Sequence, residues 1–274
     1  MSTRKYVRYT RLEDNVFRRQ FGVKKNTFNL MVSVLKAVPK SRRGRKFKLS
    51  YQDQVLLWLK YIREYITFES VGICFGVSTS TAYRVCIFVE NALIQEQSFH
   101  LPGKKELLNR QLGSIAIDVS ESPIQRPKKN QKYYYSGKKK KHTIKSQITA
   151  NTETRKILSS ATSSGRQHDF KLFKNSKTSI HPDNTVLVDS GYQGIDKLHS
   201  NSLLPKKNTK YRKLFKLDKL KNKALASKRI VIENIFALLK RFKIIAEIYR
   251  NRRKRFSLRF NLISAIYNLE LEEL

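Results

Sequence analysis

The chain has 274 residues, room for one large domain or two small ones. Apolar residues make up 40%, which excludes wholesale disorder, and 57 Lys plus Arg against 21 Asp plus Glu leave a formal charge of +36, which points to a polyanionic partner, nucleic acid first. A polar, basic N-terminal stretch, the lack of a long apolar span and two cysteines (Cys74 and Cys86) without metal spacing argue against a secretory leader, a membrane protein and a disulfide or zinc framework.

In chain order, residues 11 to 38 carry two helical patterns. Leu12, Val16 and Phe17 share one face of the first; Phe28, Leu30, Met31, Val34 and Leu35 crowd the second, which Asn26 or Thr27 would cap and Pro39 would end. Ser41-Arg-Arg-Gly-Arg-Lys46 is a basic linker, either a solvated loop or a phosphate clamp. Ser50 would cap a helix from Tyr51 to about Glu64, with Val55, Leu56, Leu59 and Ile62 at helical spacing. A short helix from Phe68 to Phe75 stops at Gly76, and a longer one, capped by Ser78 or Ser80, continues to about Gln95. Helix, glycine turn and longer helix make a helix-turn-helix pattern, whose second helix would present Thr79, Ser80, Thr81, Tyr83 and Arg84 to DNA at its N-terminal end. An ordinary helical hairpin is the alternative, and the strong positive charge favours the DNA-reading one.

His100-Leu-Pro-Gly-Lys104 marks a boundary, after which the period changes. The expected division is 1–46 (helices and basic linker), 47–103 (helix-turn-helix) and 104–274 (a mixed α/β domain). Ser114-Ile-Ala-Ile-Asp118 alternates as a strand. Lys132-Tyr-Tyr-Tyr135 and His142 to Ala150 read as a hairpin with a basic turn, and Lys156 to Ala161 as a third antiparallel strand. A helix begins at His168. Thr185-Val-Leu-Val-Asp189 has the continuous apolar character of a fully buried strand, and Ser202 to Pro205 forms another. Residues 206 to 228 are basic and loosely helical. Residues 227 to 243 predict a helix with Val231, Ile235, Leu238, Leu239 and Phe242 on one side and Arg229, Glu233 and Lys240 on the other. A basic loop from Arg250 to Arg255 precedes a final helix from Leu258 to Leu269.

Asp118 and Asp189 each end an apolar strand, at the carboxyl end where open α/β sheets place their sites. With Glu233 they supply three hard oxygen ligands, which suit Mg²⁺ or Mn²⁺, and two such ions would polarise a phosphodiester. Arg229 and Lys240 would meet phosphates. Against this, each Asp alone is an ordinary turn residue and the Arg–Glu spacing an ordinary salt-bridged helix face; the three acids together, in a chain this basic, favour catalysis.

Asp118-Val-Ser-Glu-Ser-Pro-Ile-Gln-Arg126, Tyr134-Tyr-Ser-Gly-Lys-Lys-Lys-Lys-His-Thr143, His168-Asp169, Val188-Asp-Ser-Gly-Tyr-Gln-Gly194 and Arg229-Ile-Val-Ile-Glu-Asn234, with the segments around Arg250 and Phe260, resemble the DDE-type transposases of bacterial insertion sequences, in the branch related to Harbinger-type transposases. The resemblance covers nearly the whole chain. It implies an RNase H-like catalytic domain, Asp118, Asp189 and Glu233 as metal-holding catalytic acids, and cleavage and strand transfer at terminal inverted repeats. It also implies double-stranded DNA as partner, a homodimer or larger synaptic assembly, and a bacterial cytoplasmic, nucleoid-associated setting. Arg229, Glu233 and Lys240 match the Arg, Glu and Lys that related transposases space along the glutamate helix; the tyrosine of that set falls at Ala226. The rival readings are a catalytically inactive, transposase-derived DNA-binding protein and a structural basic protein bound to RNA.

Overall fold

The structure is a computed structural model that describes residues 9, 11–39, 48–208 and 213–272; the basic linker at 41–46 lies outside them. The chain forms two compact units. One combines the residues up to His100 with Lys240–Glu247 and the chain from Leu258 onward; the other runs from Leu101 to Leu239 and adds Ile248–Ser257.

The first unit is helical. Helix α1 (Asp14–Phe21) stops at Gly22, whose φ of 83° suits glycine. Helix α2 (Lys25–Ala37) starts a little earlier than the expected caps, and neither Asn26 nor Thr27 caps it. Glu270 does that work instead: its Oε1 accepts from the Lys24 amide at 2.8 Å and from the Thr27 hydroxyl at 2.6 Å. A carboxylate at a helix N-terminus satisfies orphan amides and complements the helix dipole, and a side chain some 240 positions away cannot be read as a cap from local sequence.

Helices α3 (Tyr51–Glu64), α4 (Phe68–Phe75) and α5 (Thr79–Gln95) follow the expected bounds. Ser50, Thr67 and Ser78 each accept the amide three residues on. Between α4 and α5 the axis turns by 94°. Two glycines permit that turn. Gly76 adopts φ 66°, and at Gly72 an added Cβ would lie 2.7 Å from the Val77 carbonyl oxygen. Val55, Leu56, Trp58, Leu59, Ala82, Val85 and Val89 are fully or nearly fully buried between these helices. Within that core Glu90 accepts from Arg259 Nε at 2.7 Å and Trp58 Nε1 at 3.3 Å, so the buried carboxylate is paired, as it must be. Among the described residues no single helix is long and apolar enough to cross a membrane.

The second unit is built on a mixed sheet. After α6 (Lys104–Asn109) comes β1 (Ser114–Pro123), then a short α7 (Gln131–Tyr134), β2 (Tyr135–Ser136), β3 (Lys141–Asn151), β4 (Ile157–Ser164), α8 (Asp169–Ser176), β5 (Thr185–Leu187) and β6 (Ser202–Leu203). Strand β1 lies between β3, antiparallel, and β5, parallel. Strand β3 also pairs antiparallel with β4 and, at its start, β2, and β6 extends the parallel side beyond β5. The six strands, antiparallel from β1 through β3 to β2 and β4 and parallel from β1 to β5 and β6, form the mixed sheet of an RNase H-like domain. The hairpin arm expected at Lys132–Tyr135 is mostly helical instead: only Tyr135 and Ser136 pair with β3.

Alternation along the strands sets the faces. Ile115, Ile117, Val186 and Val188 pack with Leu107, Leu158, Phe173 and Tyr192 in one core. The intervening positions, Ala116 and Asp118 on β1 and Leu187 and Asp189 at the end of β5, therefore belong to the opposite face. Helix α9 (Lys216–Leu239) packs against β1 and β5. It begins about ten residues earlier than expected and ends at Leu239. The short α10 (Lys243–Ala246) and the long α11 (Phe256–Glu272) complete the chain.

Candidate active site

The parallel register is what brings the first two acids together. Ser114, Ile115 and Ala116 pair with Thr185, Val186 and Leu187. Carried two residues further, the same register sets Asp118 level with Asp189. Asp118 does not end its strand, as expected from sequence: β1 continues five residues beyond it because it stays paired to β3, from Asp118–Ile148 to Pro123–Thr143. Asp189 does follow the end of β5, where it caps a 3₁₀ turn by accepting the Gly191 amide at 2.8 Å. Gly191 is needed for close approach; a Cβ there would sit 2.9 Å from Asp189 Oδ1 and 3.4 Å from Asp169 Oδ2.

These acids interact. Burial pushes the Asp118 carboxyl up from 3.8 to about 6, opposed by the Val119 amide and Arg229 and reinforced by the charges of Asp189 and Asp169. Asp118 Oδ1 accepts the Val119 amide at 2.8 Å and lies 3.8 Å from Arg229 Nη2. Tyr192 lies beneath them in the core, its hydroxyl donating to Gln147 Oε1 at 3.3 Å. Burial and the charges of Asp169, Asp118 and Asp189 push its phenol well above the ordinary value, so it stays protonated.

Asp169, with the neighbouring His168 singled out only as a motif pair, is the residue that sequence reasoning undervalued. It opens α8 and bonds Lys145 Nζ at 2.8 Å. Lys145 is buried on β3 and also stands 3.9 Å from Glu121, which accepts the Thr143 hydroxyl at 2.7 Å. No spacing in the sequence ties Lys145 to Asp169; the pairing of β3 with β1 and β4 and the packing of α8 on this sheet do.

Helix α9 departs from the expected faces. Its buried apolar residues are Leu225, Ile232, Ile235, Phe236 and Leu239, a stripe turned by about one residue from Val231, Ile235, Leu238 and Leu239. Arg229 falls within that stripe, four positions after Leu225 and three before Ile232. Only 13% of its side chain is exposed, and its Nε is buried without a hydrogen-bond partner. Arg229 thus faces the sheet and Asp118 rather than the side away from the core. Glu233 stands at the border of the stripe and is exposed. The structure brings Asp118, Asp189, Asp169 and Arg229 together and leaves Glu233 open to solvent; among the described residues, no three acidic, histidine or cysteine side chains form a ready metal cage.

Lys240 is not on α9 at all. The helix ends so that Phe242 can bury itself against Gly22, where an added Cβ would lie 2.8 Å from the Phe242 ring. Lys240 belongs to the helical unit and lines a basic cavity with Arg19, Arg63, Arg241 and Lys243.

On the helix-turn-helix, Thr79, Ser80, Tyr83 and Arg84 are exposed and Thr81 is half-buried. Thr81 is engaged in the cap, its amide donating to Ser78 Oγ at 3.3 Å. Tyr83 packs edge-on against Phe68, ring centroids 5.4 Å apart, and still leaves 47% of its surface exposed. His142 is half-buried at the start of β3.

Comparison with known proteins identifies the family of both units' sequences. A family model described as DDE superfamily endonuclease matches residues 117–268, and one described as the helix-turn-helix of DDE superfamily endonuclease matches residues 47–98. A relative from Microchaete diplosiphon, the probable transposase for insertion sequence element IS702, is 46% identical over 259 residues, 93% of this chain and 94% of that protein.

Proposed function

The chain belongs to the DDE superfamily of endonucleases, and from that premise we propose that it is the transposase of an insertion sequence. Its helix-turn-helix binds DNA and its mixed-sheet unit cuts and joins strands. The observation that carries the catalytic assignment is the approach of Asp118, on β1, and Asp189, just past the end of the neighbouring parallel β5, close enough for their charges to interact, with Arg229 against the first.

In this reading Asp118 and Asp189 hold a divalent cation, Mg²⁺ or Mn²⁺, and Glu233 adds a third carboxylate from the border of α9. Hard carboxylate oxygens are the donors such ions take. The donor set fits the ion electrostatically: Asp118 is disfavoured as an anion by burial and by two neighbouring carboxylates, and added positive charge relieves that. Asp169 is already paired with Lys145, which leaves Asp118 and Asp189 for the ion. A bound ion supplies Lewis acidity to a phosphodiester and lowers the pKa of its water, and a pair of ions would steady both the attacking and the leaving oxygen.

The chain's own groups do the positioning. Arg229, planar and carrying an unused buried Nε–H, is suited to a phosphate oxygen beside Asp118. Tyr192 and Gln147 hold the floor beneath the acids, and the Gly191 turn leaves their carboxylates free of a side chain. Arg84, with Thr79, Ser80 and Tyr83, supplies DNA contacts from the start of α5, and Lys240 a phosphate contact from its basic cavity. The partners are double-stranded terminal inverted repeats and target DNA, and the protein pairs at least two ends as a dimer or larger assembly in the bacterial cytoplasm.

The test is Mg²⁺-dependent nicking of a duplex carrying the element's own terminal repeat. The full chain is expected to cut at the repeat, and Asp189→Asn to bind the same duplex without cutting. An Asp189→Asn protein that cuts as well as the parent overturns the assignment.

A further inference from the structure

The motif from Tyr134 to Thr143 has no part in the reaction above, yet it walls a cavity of about 660 Å³ in the mixed-sheet unit. Arg126, Lys132, Tyr135, His142 and Arg166 line it, with Gln131 and Gly137. We propose that this cavity receives one unstacked nucleotide of a DNA strand, its phosphate held by Arg126, Lys132 and Arg166 and its base laid against Tyr135 beside His142. The proposal rests on the reading of the protein as a DNA-processing enzyme and adds a site to it.

Three features specify that occupant. The first is charge. Three cations line the cavity and no carboxylate does, and among the described residues none of the three forms an ion pair. Like charges held together favour an anion between them. The second is the pair of rings. Tyr135 and His142 meet edge-to-face with centroids 5.6 Å apart and planes at 71°. An edge-to-face pair leaves flat ring surface unused, and Tyr135 remains 41% exposed. Aromatic faces beside cations are what nucleic-acid strands stack on without sequence preference. The third is size. The cavity of about 660 Å³ lies within the range of small-ligand sites, the scale of one nucleotide rather than of a duplex.

The walls are fixed without a ligand. Gly165, immediately before Arg166, donates its amide to the Thr143 carbonyl at 2.9 Å. An added Cβ on Gly165 would lie 2.9 Å from the carbonyl oxygens of both Thr143 and Tyr134, so only glycine lets β4's exit approach so closely. Arg126 Nε donates to Gln131 Oε1 at 3.0 Å, and the Ile124 amide to the His142 carbonyl at 2.9 Å. Such preorganisation lowers the ordering cost of binding. The position is also apt. Strand β3 runs from His142 past Lys145, the partner of Asp169, to Ile148, the partner of Asp118. Six residues of strand span roughly 20 Å, so the cavity lies within a few nucleotides' reach of the acids.

The test uses the full chain without metal and measures affinity for an oligothymidylate and for a blunt duplex of unrelated sequence and equal length, at one salt concentration. Tyr135→Ala is expected to weaken oligothymidylate binding about 5- to 150-fold, the loss of one base–aromatic stack, and to leave duplex binding unchanged. Tyr135→Phe keeps the ring and is expected to bind like the parent. Arg166→Ala is expected to reduce the salt slope for the strand by about 0.7, and it carries the test if Tyr135→Ala does not fold. Equal losses on strand and duplex, or an unchanged strand affinity, overturn the proposal. Because these measurements need no cleavage, their failure is distinct from a failure of the nicking assay.

Discussion

Replacing Asp118 by asparagine should make the metal-free protein more stable while abolishing its cleavage activity. The Asp118 carboxyl lies at about 6 in the folded chain against an ordinary 3.8. The folded state therefore holds the proton more tightly than the unfolded one, and stability falls as pH rises from 3.8 to about 6, then levels off. The difference of about two units corresponds to roughly 3 kcal/mol above that range; with 23% of the side chain exposed this is an upper figure. Asparagine keeps an oxygen for the Val119 amide, which donates to Oδ1 in the parent, and removes the charge that burial and two neighbouring carboxylates oppose. Its gain should approach 3 kcal/mol at about pH 8 and shrink to about half at about pH 5, where the parent carboxyl is mostly protonated when folded. Urea unfolding of both proteins at the two pH values, with a chelator present, measures the gain. An Asp118→Asn protein no more stable than the parent at about pH 8, or a gap that ignores pH, would refute the argument that this acid is held at a cost for chemistry.

Three further outcomes follow from the structure. Glu233→Gln should lose Mg²⁺-dependent nicking yet bind element ends and unfold within about 0.5 kcal/mol of the parent, because Glu233 is exposed; a folded, fully active variant removes Glu233 from the metal site. Arg84→Ala should cost about 1–3 kcal/mol on the cognate end and less on unrelated DNA, measured at one salt concentration, and an equal loss on both would make Arg84 a phosphate contact. Glu90→Gln removes the buried carboxylate that meets the Arg259 guanidinium at 2.7 Å, and should cost about 3–5 kcal/mol in urea unfolding.

The helix-turn-helix was legible because every signal in it is local. Ser50 and Ser78 cap at their own helix starts, Gly76 ends α4, and the apolar positions repeat within each helix. The strands leading to Asp118 and Asp189 were legible for the same reason: the first alternates and the second is a short continuous apolar run. What local pattern cannot carry is register and rotation. Asp118 lies level with Asp189 only because β1 pairs parallel with β5 while continuing along β3. The stripe on α9 turns by one residue because the helix packs on that sheet, and this takes Arg229 from the supposed outer face to Asp118. Lys240 leaves the glutamate helix because Phe242 finds its burial at Gly22, over two hundred positions earlier. Asp169 joins the acids through Lys145 on another strand. Sequence by itself determined which residues are acidic, basic or apolar and, outside Lys132–Tyr135, which of the main segments are helix or strand, since propensity, capping and periodicity act over a few residues. Which of those side chains meet was decided by the tertiary structure, since strand register and helix rotation are set by the burial of surfaces far apart in the chain.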